Sequence, residues 1–275
     1  ENDENENVRK AVAKNLMTPV QASEVIAKDK SIDVRLALLK RLCHLLPDLQ
    51  ADEYAHLYAH AVQALSVLAL DEVLKVRKAL ASALKDKAYC PPKIATQLAK
   101  DVEREVSEPI LKYCVAIPDM DLIDILKHAK HEWVARAIAQ REQIKEPVSR
   151  GVVDRSDFPK AGEDLLNNKS AEINSETYDY IIEKAKELPE WQEPLAFRKD
   201  LPMDMLKTIA SFVNRKIRAK MLKEHDFDDV TKDEIEETVK RRINFLKDKD
   251  GQPITPSQKL KKLIDDNRLD EDAIL

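Results

Sequence analysis

The sequence predicts an all-α protein, built as an α-solenoid of short stacked helix pairs. Three observations carry this. The 275 residues include only three glycines, Gly151, Gly162 and Gly251. Strand-rich folds and phosphate-cradling loops need more of them, whereas glycine poverty beside abundant Ala, Leu, Lys and Glu favours helix. Helix start and stop signals recur along the whole chain. One short pattern also repeats at intervals long enough to hold a helical pair.

The punctuation comes in chain order. Thr18-Pro19 and Thr255-Pro256 read as a cap followed by proline in the first turn. Pro91-Pro92 opens a helix after Cys90. Pro118 ends one helix and Asp119 is placed to cap the next. Thr231 with Glu234 matches a capping box, in which each side chain satisfies an orphan amide. Between these marks apolar residues fall at helical spacing: in DVRLALLKRLCHLL, Val34, Leu38, Leu42 and Leu45 make one stripe. No convincing alternating strand is present. A helix of two to four turns with one apolar face does not persist alone, because nucleation is unfavourable and the stripe stays wet. Neighbouring helices must bury it.

The repeat appears when AKDKSIDVRLAL (27–38), ALDEVLKVRKAL (69–80) and AKDVEREVSEPI (99–110) are aligned. Each has Asp, four residues, Val, then Arg or Ser, one residue, a small residue or Pro, and Leu or Ile. The aspartates are Asp29, Asp71 and Asp101; the valines are Val34, Val76 and Val106. AKHEWVARAI keeps Val134, Ala137 and Ile138 but lacks the aspartate and the arginine. The valines lie 42, 30 and 28 residues apart. Val, the small residue and Leu at i, i+3 and i+4 form the buried seam of a second helix. An aspartate six residues before an arginine can accept its hydrogen bond within or between repeats.

This pattern resembles HEAT repeats, whose turn aspartate and second-helix arginine form a ladder. The resemblance implies a right-handed superhelical stack with Asp29, Arg35, Asp71, Arg77 and Asp101 as structural ladder residues, interrupted where Ser107 replaces the arginine. Longer runs resemble an uncharacterised HEAT-like family of alphaproteobacterial proteins: DVEREVSEPILKYCVAIPDMDLIDILKHA, ARAIAQREQIKEPVSRGVV and LAFRKDLPMDMLKTIASFV. The matching residues are Val106, Pro109, Ile110, Asp121, Leu122, Ala137, Ile138, Ala139, Arg141, Val148, Arg198, Asp200, Leu201 and Pro202. The likeness runs from about Ser23 to Lys223 and transfers no activity, since the family is a domain of unknown function.

Three regions are expected: a polar segment and first helix at 1–17, the solenoid at 18–225, and a charged linker with helices at 226–275. In the last, a helix is expected from about Thr231 to Lys247 and a loop at Lys249–Pro253. The segment KLKKLIDDNRLDEDAIL reads as the start of a further helical pair, so the native chain is expected to continue.

Composition narrows the function. With 46 Lys and Arg against 51 Asp and Glu, the net charge of −5 argues against a dedicated nucleic-acid binder. Cys43, Cys90 and Cys114 are odd in number, widely spaced and without CxxC, which fits free thiols in a reducing compartment. No membrane-length apolar run and no signal peptide are read, so the expected location is cytoplasmic.

Chemical motifs are scarce. In EYAHLYAH, His56 and His60 stand four apart on a helix face, with His44 able to approach from the preceding helix. A stable zinc site needs three or four ligands and HExxH is absent, so polar decoration is the favoured reading over a metal enzyme. His128 and His131 fall at a turn, where Trp133 is expected to pack. GxSxG, a Walker loop and GxGxxG are missing. The basic run NRKIRAKMLKEH reads as a solvated face around Ile217, Met221 and Leu222. No catalytic residue, cofactor or metal is expected. The function expected is a non-catalytic protein-interaction scaffold or adaptor, with signalling as the setting considered, Lys78, Lys85, Lys112 and Arg136 as partner-binding candidates and another protein as partner. The alternative is a HEAT-like nucleic-acid binder or DNA glycosylase.

Overall fold

The computed structural model describes residues 3–50, 54–225 and 227–245. They are all-helical. The elements are α1 (Glu6–Lys14), α2 (Ser23–Ile26), α3 (Ile32–Leu45), α4 (Ala55–Ala69), α5 (Leu74–Leu84), α6 (Pro92–Ala99), α7 (Arg104–Tyr113) and α8 (Asp119–His128). They continue with α9 (Glu132–Ala139), α10 (Glu146–Val153), α11 (Pro159–Asn167), α12 (Ser175–Ala185), α13 (Pro189–Ala196), α14 (Met203–Phe212), α15 (Arg215–Glu224) and α16 (Asp229–Phe245). Among the described residues the only extended pairing is an isolated bridge between Ile144 and Ala171. No described helix is long and apolar enough to cross a membrane.

Local chemistry explains the boundaries. Ser31 caps α3 by accepting from the Val34 N–H at 3.4 Å, and Asn214 caps α15 through the Lys216 and Ile217 N–H groups. Pro92 is the first residue of α6, where its missing N–H costs nothing. Three expected caps move. Thr18 does not cap; its hydroxyl donates back to the Val12 carbonyl at 2.8 Å. Asp119 is the first residue of α8 and Pro118 precedes it. Asp228, not Thr231, caps α16, accepting from the Thr231 N–H at 2.6 Å. The expected helix at 231–247 therefore begins at Asp229. The expected loop at Lys249–Pro253, the Thr255-Pro256 start and the last helical pair lie outside the described residues.

The chain divides into two compact units, Glu1–Ile181 and Ile182–Leu275. In the first, most helices touch the next one and the next but one. The odd-numbered helices α1, α3, α5, α7, α9 and α11 pack in sequence as one row. On the other side α2 packs on α4, α4 on α6, and α8 on α10. The core lies between the rows, where Val34, Leu38, Val76, Leu80, Val106 and Ile110 are fully buried. These are the seam positions of the repeat. In the second unit α13 packs on α14 and α15, and α14 on α16, around buried Trp191, Leu195, Ile209 and Met221.

Close helix approach has a residue-level cause in the first unit. A Cβ placed on Gly151 of α10 would stand 3.2 Å from Leu126 Cδ1 and 3.8 Å from Ile123 Cγ1 of α8. Leu126 can yield to a methyl group but not to a longer side chain. Gly151→Ala should therefore leave urea-unfolding stability within about 1 kcal/mol of the natural protein. Gly151→Leu should lower it by about 1–3 kcal/mol through overpacking.

Candidate functional site

The repeat aspartates each serve two neighbours. Asp29, Asp71 and Asp101 accept the backbone N–H two residues on, from Ser31, Val73 and Glu103, each at 2.8 Å, which fixes the turn before the second helix. Each then receives an arginine from the preceding odd-numbered helix. Arg9 Nε lies 2.7 Å from Asp29, Arg35 Nε 2.6 Å from Asp71, and Arg77 Nε 2.6 Å from Asp101. The arginines also reach back to their own turns. Arg9 donates to the Asp3 carbonyl at 2.8 Å, while Arg35 and Arg77 donate to those of Asp29 and Asp71 at 2.7 Å.

Arg9 was not among the expected residues, yet its signal is in the sequence. DENENVRKAV carries Asp3, Val8, Arg9, Ala11 and Val12 at the repeat's own spacing. At the other end of the row Ser107 replaces the arginine, and its hydroxyl turns to the Glu103 carbonyl of its own helix. The next turn also lacks the aspartate such an arginine would meet. Both halves of that bridge are missing together.

A second set of bonds went unread in the sequence. The last carbonyls of a helix have no partner within it. Here several of them, with carbonyls of the loops that follow, are met by side chains placed 23–30 residues later in the chain. Arg41 donates to Thr18, Arg141 to Leu111 and Cys114, and Arg155 to Leu126. Asn168 donates to the Ala139 and Arg141 carbonyls, and His225 bonds that of Ala196. Arg41 and Arg141 are buried, and burial lowers the pKa of each. No short motif marks these residues, because each faces a carbonyl and not a side chain.

The expected partner-binding cations lie along the odd-numbered row. Lys78 on α5 is 2.9 Å from Glu105 of α7, and Arg136 on α9 is 2.7 Å from Asp164 of α11. Lys112 donates to Gln140 at 2.9 Å. The structure brings two of the four together: Lys85 and Lys112 stand over Tyr113, at 5.6 and 5.5 Å from the ring centroid. Tyr113 is half exposed, and Val115 beside it is more so. Both line a cleft of about 600 Å³, together with Ile117, Leu122, Arg141 and Lys145. Lys145 pairs with Asp119 across it at 3.2 Å.

The histidines and thiols take quieter places. His60 Nδ1 lies 2.6 Å from Glu24, and His128 Nδ1 lies 2.9 Å from the carbonyl of Asp124. Among the described residues no three His, Cys, Asp or Glu side chains converge to hold a metal. Trp133 is half-buried under the Arg104 guanidinium, 5.4 Å from its ring centroid. Burial pushes the Cys43 thiol up to about 12. A hydrogen bond with Cys114, with burial, raises the Cys90 thiol.

A family model described as an uncharacterised protein conserved in bacteria (DUF2336) matches residues 106–275, well over half of the chain. The chain belongs to the DUF2336 family. The matched region begins inside α7, so Tyr113, Lys112, Arg136 and the cleft fall within the DUF2336 match. The bridges made by Arg9, Arg35 and Arg77 precede it. No curated protein matches the chain.

The Arg9–Asp29 bridge makes a pH prediction. The hydrogen bond from Arg9 lowers the Asp29 pKa, burial opposes it, and the Ser31 N–H adds to the lowering. A depressed carboxylate contributes stability that is fully present above its unfolded pKa, about 3.9, and lost as pH falls through the folded value. Urea unfolding should show Asp29→Asn less stable than the natural chain at pH 7, the gap closing as pH drops below about 4. A gap unchanged by acid would show that this carboxylate contributes nothing through its charge.

Proposed function

We propose that this DUF2336 protein is a right-handed α-solenoid of HEAT-like helix pairs that acts as a cytoplasmic protein-interaction scaffold, in signalling and without chemistry of its own. The solenoid reading draws support from the repeated bridge: the same aspartate turn, the same arginine and the same seam recur, and each arginine reaches forward to the next copy. Its likeness to HEAT-like alphaproteobacterial proteins agrees with the bacterial family. Solenoids of this kind present extended surfaces and bind macromolecules along them.

The observation that carries the interaction reading is Tyr113. A half-exposed aromatic ring flanked by Lys85 and Lys112, at the mouth of a cleft with an apolar wall, has the composition of a binding hot spot. The ring brings contact area, and the two ammonium groups favour an acidic or carbonyl-rich partner segment. Lys78 and Arg136 already have acidic neighbours, which makes them rim residues in this reading.

The test is affinity capture on the full chain from a lysate of its own bacterium, read by mass spectrometry. Beside it runs Tyr113→Ala with Lys85→Glu. A protein partner retained by the natural chain should fall at least about tenfold on the variant, whose thermal unfolding stays unchanged. Equal capture by both would remove Tyr113 from the interface. Capture of nucleic acid and no protein would replace the scaffold reading with the nucleic-acid one.

A further inference from the structure

A second cleft, of about 470 Å³, lies where α1 stops short of the end of α3. That volume suits a small ligand. Its wall is partly apolar, with Leu16, Leu36 and Ala37, and Leu16 is half exposed. The rest is basic. Lys10 and Asp33 also line it, but they neutralise one another at 2.6 Å. Lys14 and Lys40 have no acidic partner among the described residues, unlike Lys78, Lys100 and Arg136 further along the fold.

Arg41 in the same wall is the stronger sign. It is 3% exposed. Its Nη2 donates to the Thr18 carbonyl, but Nε and Nη1 are buried and have no acceptor among the described residues. Arg141, in the equivalent place at the end of α7, spends its two terminal nitrogens on two carbonyls. Leaving charged N–H groups buried without acceptors is costly, so an anion reaching the pair on Arg41 would be favoured. The C-terminus of α1 brings about half a negative charge to this end, which is too little to balance three cations.

We propose that this cleft binds a small organic anion. Its carboxylate or phosphoryl oxygens accept from Lys14, Lys40 and Arg41, and its apolar body lies on Leu16, Leu36 and Ala37. Arg41 lines the cleft with its Nε and Nη1 N–H groups turned inward, so its contact with the anion requires the guanidinium to shift towards it. The site is independent of the Tyr113 surface and stands whether or not that surface binds a protein.

The experiment is calorimetric titration of the full chain with phenyl phosphate, benzoate and neutral benzyl alcohol. At least one anion should bind saturably at one site, at least about tenfold more tightly than the alcohol. The tighter of the two names the headgroup. Lys14 and Lys40 are exposed, so Lys14→Gln with Lys40→Gln should fold normally and lose at least about tenfold in anion affinity. Arg41→Lys keeps the charge but not the planar fork, and should also weaken binding while thermal unfolding confirms a folded chain. No saturable binding of either anion by about 10 mM would overturn the proposal. So would undiminished binding by the double variant, or an equal affinity for the alcohol.

Discussion

The bridge between an arginine and the aspartate of the following turn is the constraint on which the first unit depends. Helices of eight to fifteen residues, such as α9 and α4, do not stand alone in water. Apolar seams at Val34, Val76 and Val106 bury them, but such seams specify register weakly, since Val and Leu pack against many partners. The carboxylate at Asp71 does specify register. It must meet Arg35 from one helix while holding the Val73 N–H of its own turn. Each bridge thus ties the start of one odd-numbered helix to the flank of the odd-numbered helix before it.

The same logic runs through the carbonyl caps. Arg141, Arg155 and Asn168 each close the end of a helix some 27–30 residues behind them. Where the aspartate bridges stop at Ser107, these caps and pairs such as Arg136–Asp164 carry the coupling onward. The two devices overlap around α7, which also carries the exposed Tyr113. For the partner surface proposed at Tyr113, a rigid backing would mean that less freedom is lost on docking.

Much of this was legible in the sequence. Glycine poverty, proline punctuation and 3.6-residue spacing give the helices, and the Asp–Val–Arg spacing identifies the residues that bridge. Arg9 escaped because its copy sits in a polar N-terminal run, where ENDENEN hides the single Asp3 that matters. The caps at Thr18, Asp119 and Thr231 were misplaced because several polar residues compete within one turn and only backbone geometry decides among them. The pairing of Lys85 and Lys112 over one ring is not readable along the chain, since it joins adjacent odd-numbered helices. Arg41 was invisible for a further reason: its neighbours Arg35 and Lys40 look alike in sequence, and only the fold exposes Lys40, pairs Arg35 with Asp71 and buries Arg41 against the Thr18 carbonyl.

Coupling across a bridge is the central claim, and a double-mutant cycle on Arg77 and Asp101 tests it most directly. Arg77→Met, Asp101→Asn and the double variant would be compared with the natural chain by urea unfolding. The account predicts that the two single losses overlap, with a coupling energy of at least about 1 kcal/mol. Losses that add to within about 0.5 kcal/mol would show that the two side chains, though 2.6 Å apart, do not hold successive helices together.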